Sequence, residues 1–127
     1  MRQKILSQNY INSDNAKLTE ILKLDNSIRF VGKIKDRKLH SFVRRANKTP
    51  LLDEELDNMA HYQASIKANM ENMFDSSLGK TNWIITSKEK VKLITIFLDD
   101  GLLILSTESD ANHDEVIRKI QSLNVNF

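Results

Sequence analysis

The feature that most constrains the fold of this chain is a change of hydrophobic spacing close to Gly79. Before it, over residues 52–73, apolar side chains recur in steps of four and three, which is the spacing of one face of an α-helix. After it, residues 83–86, 91–98 and 102–107 show the alternating or continuous apolar character of β-strands. The pattern therefore predicts an α+β protein in which one long helix precedes three strands.

The rest of the chain adds two helices and a second pair of strands. Alternation at residues 28–34 and 39–43 predicts two strands joined by a short turn. A first helix is predicted to begin at residues 13–14, and Asp110 or Asn112 is predicted to cap a last one. The predicted element order is α-β-β-α-β-β-β-α.

The long helix is predicted to run from Thr49-Pro50 to Gly79. Threonine suits the N-cap, proline the first helical position, and glycine the left-handed position past the last turn. Its apolar seam consists of Leu52, Leu56, Met59, Gln63, Ile66, Met70 and Met73, with Gln63 as the polar member. A stripe of small residues lies beside the seam: Ala60, Ala64 and Ala68. Such a stripe either lets another helix approach closely or reflects helix propensity on a surface, and both interpretations remain open.

The last two strands are predicted to lie inside the sheet. Asp99-Asp100-Gly101 is a strong hairpin signal, and residues 102–105 are apolar on both faces. An antiparallel strand that is apolar on both faces must be covered on both, which predicts a three-layer α/β/α sandwich. The positions that must be shielded from water are Ile94, Ile96, Leu103 and Leu105.

Length and composition predict one domain at residues 13–127, preceded by a tail at residues 1–12. The chain has 127 residues, 40% of them hydrophobic and 28% charged, which is ordinary for a water-soluble domain. No apolar run approaches the roughly 20 residues of a membrane span, and the first residues lack the apolar block of a secretory signal. The absence of cysteine excludes disulfides and thiolate chemistry. We therefore expect a cytoplasmic protein.

No motif for catalysis or cofactor binding is found. His40, His61 and His113 are isolated in the sequence and lack metal-ligand spacing, so each is predicted to be a surface or rim residue. Gly79-Lys80-Thr81 resembles the end of a phosphate-binding loop, but Phe74 occupies the position of the first glycine, and the order of helix and strand is reversed. We expect no enzyme activity, no cofactor and no metal.

Positive charge is concentrated in one short segment, where seven cationic residues accompany Asp36 alone. This segment is either a solvated hairpin edge that discourages aggregation or a site for an anionic partner such as nucleic acid. Stacking on single-stranded bases has little support, because Phe42 is the one aromatic residue there. The candidate anion-binding residues are Lys33, Lys35, Arg37, Lys38, Arg44, Arg45 and Lys48.

From residue 14 to residue 123 the chain resembles the roadblock/dynein light chain family, and more loosely the longin and profilin-like sandwiches. The resemblance rests on the element order, on the hairpin at residues 99–101 and on the single long helix between two strands and three. Residues 28–32, 50–52 and 89–92 are also similar to small uncharacterised archaeal proteins. One departure is Asp36-Arg37-Lys38, where such proteins often have a glycine-containing turn.

The resemblance implies a five-stranded antiparallel sheet in the order 2-1-5-4-3, with the long helix on one face and the terminal helices on the other. It also implies a homodimer in which the third strand pairs with its twin about a two-fold axis and the long helices lie side by side. The candidate interface residues are Trp83, Ile85, Met59, Ala60, Ala64 and Ala68.

The function implied by the resemblance is that of a non-enzymatic scaffold that binds or regulates a small GTPase or joins a larger complex. The alternative is anion or nucleic-acid binding through residues 33–48. A third hypothesis, a small-molecule sensor, requires a cavity between the sheet and a helix near Gly32.

Overall fold

The computed structural model describes residues 14–123, so the predicted tail at residues 1–12 and the helix start at Ser13 lie outside the described residues. The predicted element order is confirmed, with one additional helical turn. The elements are α1 (helical over residues 14–22), β1 (Ile28–Lys35), β2 (Lys38–Arg44), α2 (Glu54–Asn72), α3 (Asp75–Leu78), β3 (Trp83–Ser87), β4 (Val91–Leu98), β5 (Gly101–Glu108) and α4 (His113–Ser122).

The five strands form one antiparallel sheet in the order β2-β1-β5-β4-β3, as predicted. The chain thus places its last strand, β5, at the centre, between β1 and β4. The two edges are β2 and β3. Helices cover both faces, which confirms the α+β three-layer sandwich.

The larger core lies between the sheet and the helices α1 and α4. All four positions predicted to be shielded are buried there, with exposures of 8% or less. Burial of each such side chain stabilises the fold by about 1.5–3 kcal/mol. The cluster consists of Leu18, Ile21, Ile28, Val31, Ile94, Ile96, Leu103, Leu105, Val116, Ile117 and Ile120.

A smaller core lies on the opposite face, under α2. The residues of α2 that are buried against the sheet are small or polar: His61, Ser65 and Ala68. They pack over β1 and β5, where Phe30, Ile34, Leu102 and Ile104 form the second cluster with Ala68. This face is less completely covered toward β4, where Leu93 is 37% exposed.

The long helix begins later than predicted. Residues 49–53 are not helical, and Asp53 is the N-cap, with its Oδ1 accepting a hydrogen bond of 2.9 Å from the Leu56 N–H. Aspartate is a stronger cap than threonine, and its negative charge, together with Glu54 and Glu55 in the first turn, complements the positive end of the helix dipole. The prediction of a start at Thr49-Pro50 was therefore wrong by about one turn.

The long helix also ends earlier than predicted. It stops at Asn72, and α3 follows as a separate short helix after Phe74. Gly79 ends α3 with a φ of 87°, and its N–H donates to the Asp75 carbonyl at 2.9 Å. The left-handed glycine was predicted correctly, but it closes the short helix and not the long one.

The two hairpin turns differ in their use of backbone conformation. Asp36 and Arg37 have φ values of 53° and 66°, so the β1–β2 turn uses the left-handed region without glycine. In the β4–β5 hairpin, Asp99 and Asp100 form the turn and Gly101 opens β5 without a positive φ. A Cβ on Gly101 would collide with the carbonyl oxygen of Ile34, so this glycine permits close approach of β1.

Candidate interaction surfaces

The strand β3 presents an uncharged edge. Its sequence, WIITS, has no charged residue, and among the described residues it pairs with β4 alone. Because the Phe97 N–H donates to the Asn82 carbonyl and the Lys88 N–H to the Val91 carbonyl, the even-numbered residues direct their backbone groups toward β4. The backbone groups of Trp83, Ile85 and Ser87 therefore point outward at the edge. The opposite edge, β2, carries Lys38, His40 and Arg44.

A shallow apolar groove of about 170 Å³ lies beside this edge, between α2 and the adjoining face of the sheet. Its floor includes residues of β3 and β4 that are only half-buried, such as Ile84, Thr86 and Thr95. One wall is the flank of α2 that carries Ala60 and Ala64. At Gly32 itself, a Cβ would meet the Leu39 and Phe30 side chains at 2.9–3.0 Å. The space over Gly32 is thus filled, and the cavity needed for a sensor at that position is not there.

His61 lies on the side of α2 that faces the sheet and is buried, so the prediction of a surface or rim residue was wrong. It is 8% exposed, and its ring stacks on Phe30 with centroids 5.9 Å apart and an interplanar angle of 15°. Burial lowers its pKa below the usual 6.5; the nearby Asp57 carboxylate, 3.7 Å from Nε2, opposes this shift, and Arg44 reinforces it.

The other two histidines agree better with the prediction. His40 pairs with Asp14 at 3.2 Å and remains partly exposed. His113 is also partly exposed, and its Nδ1 lies 3.1 Å from Nζ of Lys92.

The predicted dimer-interface residues separate into different environments. Trp83 is 40% exposed and Met59 61% exposed. Ile85 is partly buried, because it packs against the core under α1 and α4. The alanine stripe faces the sheet: Ala68 is buried in the second core, Ala64 packs against it, and Ala60 lines the groove. The assignment of these residues to an interface stays a prediction, but Ala68 has almost no free surface to contribute.

The basic segment is largely engaged within the chain. Lys33 is 3% exposed and pairs with Asp100 at 3.2 Å, and the Arg44 guanidinium lies 4.9 Å above the centre of the Phe30 ring. Lys48 pairs with Glu108 at 2.6 Å, and this hydrogen bond is the main reason that the pKa of Glu108 lies below its usual value.

Arg45 donates to three backbone carbonyls at 2.6–3.0 Å. Of the seven candidate anion-binding cations, those that remain exposed lie around the β1–β2 turn: Lys35, Arg37 and Lys38.

Between residues 14 and 123, no three histidine, aspartate or glutamate side chains lie close enough together to hold a metal ion. Over the same range, no helix has both the length and the apolar character needed to cross a lipid bilayer.

Comparison with known proteins finds similarity in structure and not in sequence. No protein-family model matches the chain, and no curated protein matches it by sequence. Among solved structures, the gliding protein MglB from Thermus thermophilus superposes with a TM-score of 0.66 at 16% identity, over 83% of this chain and 78% of that one.

Two further structures are similar over comparable lengths. A roadblock/LC7 domain from Streptomyces avermitilis has a TM-score of 0.62 at 10% identity, over 84% of this chain and 91% of that one. An MglB with a tetrameric arrangement has a TM-score of 0.62 at 19% identity, over 89% of this chain and 86% of that one. This chain has the roadblock/LC7 fold.

Proposed function

We propose that this protein is a non-enzymatic interaction module that forms a homodimer through the edge of β3. The observation that carries the proposal is the difference between the two sheet edges. An unpaired edge is a template for another strand, and charged side chains are the usual protection against it. The edge β2 has that protection in Lys38 and Arg44, whereas β3 has no charged side chain at all.

The dimer follows from pairing β3 with its twin in antiparallel orientation about a two-fold axis. The outward backbone groups of Trp83, Ile85 and Ser87 then gain partners, and the two sheets join into one of ten strands. The groove beside the edge would be covered by the second copy, with Ala60 and Ala64 close to the axis. Met59 is exposed on the outward side of the same helix, away from this interface. Ala68 is left out of this interface because it is buried against its own sheet.

Self-association is supported by the fold and by one of the similar structures. That structure is an MglB with a tetrameric arrangement, so a chain of this fold can assemble with copies of itself. We further propose that the dimer serves as a scaffold or regulator for a small GTPase or a larger complex, as the resemblance to the roadblock family implies. A dimer would present two copies of each surface outside the β3 edge to such a partner.

Sedimentation velocity at tens of micromolar tests the dimer. We expect a species of twice the 14.7 kDa chain mass or a multiple of it. Thr86→Lys places an ammonium group in the groove beside the edge, and pairing would bring two such groups together, so this variant should dissociate to smaller species. The matched control is His40→Lys on the opposite edge, which introduces the same ammonium group near Asp14 and should assemble like the wild type.

Circular dichroism separates loss of assembly from loss of folding in both variants. A wild-type chain that remains monomeric at these concentrations would contradict the proposal. So would a Thr86→Lys variant that is folded and assembles as the wild type does.

Affinity purification from the native cell, followed by mass spectrometry, tests the partner class. A small GTPase that co-purifies with the wild type and is lost with Thr86→Lys would support the scaffold function. Co-purifying nucleic acid would instead favour the basic turn at Lys35, Arg37 and Lys38.

A further inference from the structure

The outward face of α2 carries an unusual apolar ridge. We define the α2 ridge as Leu56, Met59, Gln63, Ile66, Met70 and Met73. Its five apolar members are 41–76% exposed, and none of the six residues is charged. An α-helix turns by about 100° per residue, so Met70 lies about 200° from the sheet-facing Ala68. The ridge therefore points directly away from the sheet.

The β3-edge dimer does not cover this ridge. A two-fold axis perpendicular to the joined sheet keeps both α2 helices on the same side. Both ridges then point away from the sheet in the same direction and remain open to solvent. A second, separate interface is needed to bury them.

We propose that the α2 ridge is a second self-interface, in which the ridges of two copies pair in antiparallel orientation and join two β3-edge dimers into a tetramer. The ridge-to-ridge contact stands on its own observations, whereas the tetramer rests on the β3-edge dimer proposed above. The occupant of the ridge is thus another copy of this chain.

The arrangement of residues along the ridge is nearly symmetric about Gln63. Leu56 and Met70 lie seven residues before and after it, and Met59 and Ile66 lie four before and three after. Residues seven apart on a helix differ in direction by only about 20°. An antiparallel copy centred on Gln63 therefore sets Leu56 against Met70 at both ends of the contact and Met59 against Ile66 between them.

The single polar residue of the ridge also fits a second copy. Gln63 would lie on the two-fold axis and meet its own counterpart, where two amides can hydrogen-bond to each other. A polar pair in an otherwise apolar helix seam fixes register and orientation in this way. The six ridge residues carry no charge that would select a partner of opposite charge, and the Arg37 side chain borders the ridge beside Ile66, Met70 and Met73.

The exposed area agrees with a stable contact. Leu52 and Phe74 flank the ridge and are 44% and 52% exposed. With about 200 Å² for a fully exposed large side chain, the ridge and these two residues present roughly 700 Å² per copy. A standard protein interface buries about 800 Å² per partner, so the ridge is close to the required size.

The test is a charge-exchange cycle at Leu56 and Met70, read by sedimentation velocity and native mass spectrometry. The wild type should show a mass four times that of the 14.7 kDa chain. Leu56→Glu or Met70→Lys alone sets a charge against an apolar side chain twice per contact and should weaken dimer–dimer association by about tenfold or more. The double variant sets each new carboxylate against a new ammonium group and should associate more tightly than either single variant.

Asn58→Lys, an exposed change on α2 outside the ridge, is the control and should remain tetrameric. A wild type that stops at a dimer, is unaffected by Leu56→Glu and is dissociated by Thr86→Lys would overturn the ridge interface and leave the β3-edge dimer standing. A dimer dissociated by Leu56→Glu but not by Thr86→Lys would support the ridge contact and overturn the β3 edge. A double variant that associates more weakly than both single variants would overturn the antiparallel register.

Discussion

Arg45 is expected to stabilise the fold and not to bind a partner, and its replacement tests that distinction. Its Nη2 donates to the carbonyls of Leu22 and Asp25 at 2.6 and 3.0 Å, and its Nε donates to the carbonyl of Ile28 at 2.7 Å. One guanidinium thus ties the end of α1 to the start of β1. A cation is also favoured at this position because the end of a helix carries partial negative charge.

The cost of removing this side chain can be estimated from those three bonds. A hydrogen bond to a charged group contributes about 1.5–3 kcal/mol, and the carbonyls are partly buried, so water can replace only some of the lost bonds. We therefore expect Arg45→Ala to lower the free energy of unfolding by about 3 kcal/mol. Arg45→Lys should lie between this variant and the wild type, because an ammonium group lacks the planar fork that reaches several acceptors.

Urea unfolding at a fixed protein concentration, followed by the fluorescence of Trp83, measures these differences. The control is Lys38→Ala, an exposed cation of the same basic segment, which should change the free energy of unfolding by less than about 0.5 kcal/mol. An Arg45→Ala variant within the same roughly 0.5 kcal/mol of the wild type would refute the reasoning. Arg45 would then be available for an anionic partner.

Three further predictions concern the sheet, the buried histidine and the basic turn. Gly101→Ala should lower the free energy of unfolding in urea by about 2 kcal/mol or more, because the Cβ of the alanine would meet the Ile34 carbonyl. An unchanged unfolding midpoint would instead show that β1 shifts freely. Since burial lowers the pKa of His61, the unfolded chain binds more protons below about pH 6.5, and stability should fall as the pH is lowered through that range. His61→Phe should flatten this dependence between about pH 5 and 7, and an equally steep curve would contradict it. The basic turn has three exposed cations, Lys35, Arg37 and Lys38. If it binds DNA, the logarithm of the binding constant should fall linearly with the logarithm of the salt concentration, with a slope no steeper than about −3. An affinity unchanged between low and moderate salt would remove the hypothesis.

The layers of the fold were predictable because burial leaves a direct trace in the sequence. A strand that is apolar at every position, such as residues 102–105, has few arrangements open to it other than the middle of a covered sheet. The order of the strands required the resemblance to a known family, since alternation alone does not determine which strands are neighbours. The caps of α2 were misplaced for a related reason: Thr49-Pro50 and Asp53 are both acceptable starts, and local sequence does not rank them.

The environment of single side chains was harder to predict than the layers. An isolated histidine usually lies at the surface or its rim, which is where His61 was expected. It is buried instead, because its ring stacks on Phe30 and the Asp57 carboxylate lies close to Nε2. The alanine stripe of Ala60, Ala64 and Ala68 lies on a different side of α2 from the seam of large apolar residues, so the two cannot both face the sheet. The sequence does not indicate which of the two does.

The choice between those two sides of α2 explains why the molecule has open apolar surfaces. The α1 and α4 face of the sheet holds the large side chains of the main core, whereas α2 packs closely with small and polar residues, His61, Ser65 and Ala68. Close packing of small residues leaves the large ones on the outward side, where their contact with water is unfavourable. The same arrangement leaves the floor of the groove near β3 partly open, as the 37% exposure of Leu93 indicates. Both surfaces can be buried only by a second molecule, so the sequence of α2 is better suited to an assembled protein than to an isolated chain.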